Sequence, residues 1–324
     1  SDICGYSVNT VSLALRDDPK LPEKTRIKIR EIASSAGYIR NSFASSLRSG
    51  KSNIIAIIVD DVLNLYYAAH IAEMEDALRA KGYMVMVLCT HGQAETEQQM
   101  LQYAASYGVD GIILAPQSST PGSLELFKRL NCPIILIDRE IPEAGLDTVC
   151  ADDYEGGRLA GRALIRAGHR RLLYLSGSVA NNSEALRKKG LFDELEESCR
   201  GEYALRTVSM ESRQSSLSLD WFKPLLFPVD YTAIVSFNDD MAYQASLYLK
   251  EAGCADRVSI IGFDHIRSSF HYLPPMASIG CARHYSMPDA AIKVLLKRIA
   301  DPDAEVRTIR LPVELYEGEA AGLS

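Results

Sequence analysis

The sequence of 324 residues has no apolar run long enough to cross a bilayer. Its strand-like runs at 54–59 and 133–137 fall far short of the roughly 20 residues a spanning helix needs, so no membrane partner is expected. Ser1-Asp2-Ile3 does not open a basic start followed by an apolar stretch, which leaves secretion unsupported. Seven cysteines (Cys4, Cys89, Cys132, Cys150, Cys199, Cys254, Cys281) are scattered, odd in number and never spaced as C-x-x-C. That argues against a disulfide framework and a zinc knuckle, and makes the reducing cytoplasm the expected compartment. Six histidines show no H-x-x-x-H spacing, so no metal site is expected. Ser176-Gly177-Ser178 is neither a G-x-G-x-x-G turn nor a Walker loop, and no nucleophile–base–acid set has recognisable spacing. No cofactor is therefore expected, and an enzyme is disfavoured.

What is present is an ordinary globular composition, 47% hydrophobic and 24% charged, at a length that favours two or three compact units. The charge is unevenly spread. Residues 1–51 hold nine Lys or Arg against five Asp or Glu, a balance of +4, so the rest of the chain carries −11 of the total −7. A basic front on an acidic body suits a polyanionic partner at the N-terminal end only.

From Ile54 onward short apolar runs alternate with amphipathic stretches of helical period. Strands are expected at 54–59, 83–89, 111–115, 133–137, 171–175, 232–236 and 258–262. Helices are expected at 67–81, 95–107, 156–167, 185–198 and 240–252. Near-continuous apolar strands joined by helices imply parallel sheets covered on both faces. There are enough strands for two doubly wound sheets in succession, with the chain crossing between lobes near 150–153. Ligands of such sheets bind beyond the carboxyl ends of the strands, in a cleft between lobes.

The first 51 residues contain no strand run. Ser7 is placed to cap a helix through Val8, Val11, Leu13, Ala14 and Leu15, ended by Arg16-Asp17-Asp18-Pro19. A second helix is expected from Pro22 to about Ala36, stopped by Gly37. Two short helices in a basic segment suit a small all-α helix-turn-helix module.

The segment Gly5-Tyr6-Ser7-Val8-Asn9-Thr10-Val11-Ser12 with Leu15, then Thr25-Arg26 with Ile29, then Gly37-Tyr38, Asn41, Ala44 and Leu47, resembles the headpiece of the lactose/galactose repressor family. The resemblance continues through essentially the entire chain. It implies a recognition helix with Val8 and Asn9 facing base edges and Ser7, Thr10 and Ser12 near the DNA backbone. Leu13 stands where the family often has arginine, which removes a bidentate guanine contact, and the segment before Gly5 stops short of the family's first helix. In the family the stretch matching Asn41, Ala44 and Leu47 is a hinge helix that orders in the minor groove, where the residue matching Leu47 wedges between base pairs.

The same resemblance implies an effector site. Asp60-Asp61-Val62-Leu63-Asn64-Leu65-Tyr66-Tyr67 looks like the family's D-x-x-N-P-F-F segment, with a stacking role for Tyr66 or Tyr67. Ser183 and Arg187 match its effector-contacting S-x-x-x-R, a spacing that puts both on one helical face. Asn238 and Asp264 follow strands and match its N-D and G-F-D signatures, with Asp239 expected to cap the next helix and Asp152 to supply another cleft carboxylate. His265 and Cys281 stand where the family more often has an acidic or amide residue and a glutamine.

The expected organisation is a headpiece over 1–38, a hinge over 39–51 and an effector-binding and dimerisation domain over 52–324. Its N-lobe takes about 52–151 and 284–310, and its C-lobe about 152–281 and 311–324. The expected function is a cytoplasmic, nucleoid-associated homodimeric repressor that binds double-stranded operator DNA under control of a small-molecule effector, plausibly a sugar or related metabolite. A solute-binding protein of a transport system would share the two lobes and lack the headpiece.

Overall fold

A computed structural model describes residues 3–38, 50–117, 119–177, 182–209 and 223–318 of the chain. It divides into two compact units, Ser1–Ser52 and Asn53–Ser324.

In the first unit, α1 (Val8–Leu15) starts where the Ser7 hydroxyl accepts the Thr10 N–H at 3.1 Å. Helix α2 (Glu23–Ser35) follows Pro22, and the chain leaves it through Gly37 at φ +65°, a conformation glycine adopts without a Cβ penalty. Arg26 and Arg30 both reach back to Asp17, and the Arg30 Nε–H donates to the Ala14 carbonyl at 3.2 Å. These bonds tie α2 to the end of α1 around Ala14 and Ile29, both essentially fully buried.

The second unit holds two six-stranded sheets. The first contains β1 (Ile54–Val59), β2 (Met84–Cys89), β3 (Gly111–Leu114), β4 (Ile134–Ile137), β5 (Asp147–Ala151) and β11 (Thr308–Leu311), in the order β11-β5-β4-β3-β1-β2, all parallel. The second contains β6 (Arg171–Ser176), β7 (Ala204–Ser209), β8 (Ala233–Ser236), β9 (Ser259–Phe263), β10 (Ala277–Cys281) and β12 (Val313–Tyr316), in the order β12-β10-β9-β8-β6-β7. Only β12 runs antiparallel, against β10. Alternate residues of β1 enter different cores: Ile55, Ile57 and Val59 pack on one face, Ala56 and Ile58 on the other. A second pair of cores flanks the second sheet in the same way. The two doubly wound parallel lobes expected from the sequence are therefore present, and the antiparallel edge strand is an addition to that expectation.

The chain passes between the sheets three times: from β5 into α6 (Asp153–Arg166), from β10 into α10 (Met287–Ala300), which packs on the first sheet, and from β11 to β12 through Pro312. The three crossings are bonded side by side. The Asp152 N–H donates to the Leu311 carbonyl at 2.9 Å, and the Ala282 N–H to the Pro312 carbonyl at 2.8 Å. They form a narrow bonded junction between the two sheets.

In the second lobe α6 and α7 (Asn182–Cys199) approach to backbone contact because glycines face each other's carbonyls. A Cβ on Gly157 would lie 2.0 Å from the Arg187 carbonyl oxygen, and one on Gly190 would lie 2.0 Å from that of Tyr154. Gly157→Ala or Gly190→Ala must therefore separate the two helices, and each is expected to destabilise by about 3 kcal/mol or more. Gly161→Ala, whose Cβ would meet side-chain atoms alone, Glu194 at 3.0 Å and Leu191 at 3.4 Å, should cost much less. Thermal unfolding of the three variants checks this ranking; equal losses would show that the backbone approach is not what limits the packing.

Candidate ligand-binding cleft

A cavity of about 550 Å³ lies against this junction, between the two sheets. Tyr66 and His70, from α3 (Leu65–Arg79), enter it from the first lobe. From the second lobe come Asp153 at the start of α6, Arg187 on α7, and Phe263, Asp264 and His265 at the end of β9. A smaller cavity of about 240 Å³ shares Ala151, Asp152 and Asp153 with it and adds Asp138, Glu140, Ser183 and Arg310.

Arg187 is the centre of this arrangement. Its Nε–H donates to Asp153 Oδ1 at 2.6 Å, one Nη–H to the Phe237 carbonyl at 2.7 Å, and the other Nη lies 3.5 Å from Asp264 Oδ1. The guanidinium carbon sits 4.5 Å from the centre of the Phe263 ring. Burial works against its charge, but Asp153 and Asp264 outweigh that and raise its pKa. Burial pushes the Asp264 carboxyl up to about 6, against the opposing pull of Arg187. His265 stacks on Tyr316 with ring centroids 3.5 Å apart, and burial with the nearby Arg267 charge lowers its pKa to about 4. At neutral pH the wall thus presents a carboxylate and an uncharged imidazole.

On the opposite side the Tyr66 hydroxyl donates to Asp138 Oδ1 at 2.5 Å, and burial holds that phenol protonated. Asp138 Oδ2 is buried with no hydrogen-bond partner among the described residues. The Ser183 hydroxyl donates to the Asp138 carbonyl at 2.8 Å, a bond that joins the two lobes directly. Asp138, Asp153 and His70 were not anticipated from the sequence. Asp138 directly follows β4, so the strand-end criterion that marks Asn238 and Asp264 would have found it.

Of the residues expected in the site, Tyr66, Asp152, Ser183, Arg187 and Asp264 line one or both cavities. Asp152 also caps α6, accepting the Glu155 N–H at 3.0 Å. Tyr67 and Asn238 do not join them. Tyr67 is buried in the core with Ile55, Met74 and Leu295. Asn238 caps α9 (Asp239–Glu251), its side chain accepting the Met241 N–H at 3.0 Å. The cap role expected of Asp239 thus falls to Asn238, while Asp239 is buried and accepts from Ser278 and Ile266.

In the first unit Ser7, Val8 and Asn9 are exposed at the start of α1, Val8 at 72%, with Thr10 and Ser12 half-buried behind them. Asn41, Ala44 and Leu47 lie outside the described residues. Among the described residues no helix is long and apolar enough to cross a membrane, and no His, Cys, Asp or Glu cluster could hold a metal ion.

Two parallel-sheet lobes joined by three bonded crossings, with polar strand ends converging on the gap, define a periplasmic-binding-protein-type ligand-binding unit. The family described as periplasmic binding proteins and sugar binding domain of the LacI family matches residues 52–318, and the chain belongs to it as a LacI/GalR-type transcriptional regulator. The transcriptional repressor PurR of Mannheimia succiniciproducens is 26% identical over 326 residues, covering 97% of this chain and 94% of that protein. The lac repressor dimer bound to operator and the anti-inducer ONPF has a similar fold, with a TM-score of 0.81 at 20% identity, over 99% of this chain and 97% of that one. A LacI-family regulator from Enterococcus faecium with bound ribose gives a TM-score of 0.71 at 25% identity, over 84% of this chain and 100% of that one.

The two shifted groups of the cleft wall oppose each other in pH. The folded state holds the Asp264 proton more tightly than the unfolded chain, whose value is near 3.8, so this group's contribution to stability falls as pH rises from about 4 to about 6. His265 releases its proton more readily when folded, from 6.5 down to about 4, so its contribution rises over the same window. Denaturant titrations from pH 4 to 6.5 are expected to show Asp264→Asn gaining stability with pH more steeply than the parent chain, and His265→Gln less steeply. Parallel curves for all three would contradict the burial of these groups.

Proposed function

We propose that the chain is a homodimeric, cytoplasmic transcriptional repressor whose operator affinity is set by a small polyhydroxyl or nitrogenous metabolite bound in the cleft. The observation that carries this reading is the pairing, in one chain, of a basic two-helix unit with a two-lobed cleft. A solute-binding protein of a transport system has use for the cleft alone. The first unit presents Val8 and Asn9 at the leading turn of a capped helix, where a major groove would receive them, with Ser7, Thr10 and Ser12 near phosphates. The repressor named PurR aligns along 97% of the chain.

In the cleft, Arg187 and the carboxylates of Asp152, Asp153 and Asp264 offer donors and acceptors at a hinge, and Tyr66 supplies an aromatic edge. A metabolite that bonds both lobes favours one closure angle, which is how binding energy becomes a change of state. The protein acts by binding, without turnover. Closure is transmitted to the segment containing Asn41, Ala44 and Leu47, whose minor-groove contacts add to operator affinity.

Binding of the purified dimer to DNA fragments from around its own gene, over a range of salt and with pools of pentoses, hexoses, disaccharides and nucleobases, tests the reading. Selective binding that one pool shifts is expected. Asn9→Ala should lose about 1–3 kcal/mol of discrimination at the base pair it reads. Leu47→Ala should weaken specific operator binding while leaving metabolite affinity nearly intact. Metabolite binding with only weak, salt-labile DNA binding would instead identify a solute-binding protein.

A further inference from the structure

The end of β9 is bent in a way its sequence does not hold by itself. Asp264 (φ +95°) and His265 (φ +49°) are consecutive side-chain-bearing residues in the left-handed region, a conformation that persists only where surrounding bonds fix it. The fixing bonds come from beneath the turn. The Ser278 hydroxyl oxygen accepts the His265 N–H at 3.0 Å and donates its own proton to Asp239 Oδ1 at 2.7 Å. Asp239 Oδ2 accepts the Ile266 N–H at 3.0 Å. Both backbone donors of the turn beyond Asp264 are thereby satisfied by two side chains, each at most 2% exposed.

Two glycines make room for this clamp. Gly262 is the register partner of Ser278 across β9 and β10, and a Cβ on it would lie 2.1 Å from Asp239 Oδ1. A Cβ on Gly280 would lie 2.6 Å from the Cβ of His265. With both absent, the His265 ring settles on Tyr316 and faces the larger cavity beside Asp264.

We propose that Ser278 and Asp239 are positioning residues of the cleft: they hold the Asp264–Ile266 turn in its bent form, so that the Asp264 carboxylate and the His265 ring stand as one wall toward the bound metabolite. Neither touches the metabolite. The recognition of a ligand by that wall rests on the cleft being the effector site, as proposed above; the clamp itself does not.

The test reads the turn directly, in the full chain and without added metabolite. With histidine labelled by 13C, the His265 ring is assigned by the signal lost in His265→Gln. Its stacking on Tyr316 is measured as the upfield displacement lost in Tyr316→Leu. Ser278→Ala, which removes one oxygen and adds no bulk, is expected to move the His265 signal most of the way to its Tyr316→Leu position while the unfolding temperature falls by only a few degrees. Gly262→Ala, which displaces Asp239 without touching the cleft, is expected to do the same. An unchanged His265 signal in either folded variant would overturn the proposal. A chain that binds none of the metabolite pools would count against the effector reading, while the positioning role still stands or falls on the ring signal.

Discussion

A positive charge largely withdrawn from water has to be met by the protein, and Arg187 makes that demand where the two lobes meet. Its side chain is only 12% exposed and its donors end on Asp153, the Phe237 carbonyl and the neighbourhood of Asp264. These partners belong to the start of α6 and the ends of β8 and β9, so one buried guanidinium fixes three element termini relative to α7. Removing one partner from a buried pair costs several kcal/mol because the remaining charge is stranded. The glycine contacts between α6 and α7 follow from the same requirement: Asp153 meets Arg187 at 2.6 Å only because the helices that carry them touch through Gly157 and Gly190. The cleft wall, the helix pair and the arginine are one construction.

The first lobe answers with different chemistry. Its contribution to the gap is a phenol bonded to a carboxylate, Tyr66 to Asp138, and Asp138 in turn receives Ser183 from the second lobe through its carbonyl. The lobes are therefore joined by a direct hydrogen bond of ordinary strength across the cleft, and by the bonded crossings at Asp152, Ala282 and Pro312. A single neutral hydrogen bond contributes about 1 kcal/mol net, small enough for a ligand that bonds both sides to change the balance of lobe closure.

Much of this was legible beforehand where the physics is local. The short, β-branched run Ile54-Ile55-Ala56-Ile57-Ile58-Val59 reads as a strand covered on both faces, and the spacing of Ser183 and Arg187 places both on one side of a helix. Strands whose residues serve distant partners were not legible. In β5, Asp147 is a buried carboxylate held by Arg298 at 2.8 Å, more than 150 positions away in the chain. In β10, Ser278 and Gly280 serve the turn after β9, so the strand does not read as an apolar run. Tyr66 and Tyr67 are adjacent in the sequence, but successive residues on a helix diverge by about 100°, and only the first can face the gap. Asn238 holds the cap expected of Asp239 for a related reason: an amide oxygen suffices for a cap, whereas two converging donors from Ser278 and Ile266 suit a carboxylate.

The division of charge completes the argument. The first 51 residues carry +4 and the remainder −11, so the phosphate backbone of DNA attracts the front of the chain and repels its body. Attraction of this kind supplies affinity without sequence information, since it comes from releasing counterions. Selectivity needs contacts to base edges, and the side chains exposed at the leading turn of α1 include the uncharged Val8 isopropyl group and Asn9 amide. In the cleft the Arg187 charge is likewise met by the protein's own carboxylates, Asp153 and Asp264, and the wall beside it carries the Asp264 carboxylate together with the uncharged His265 ring.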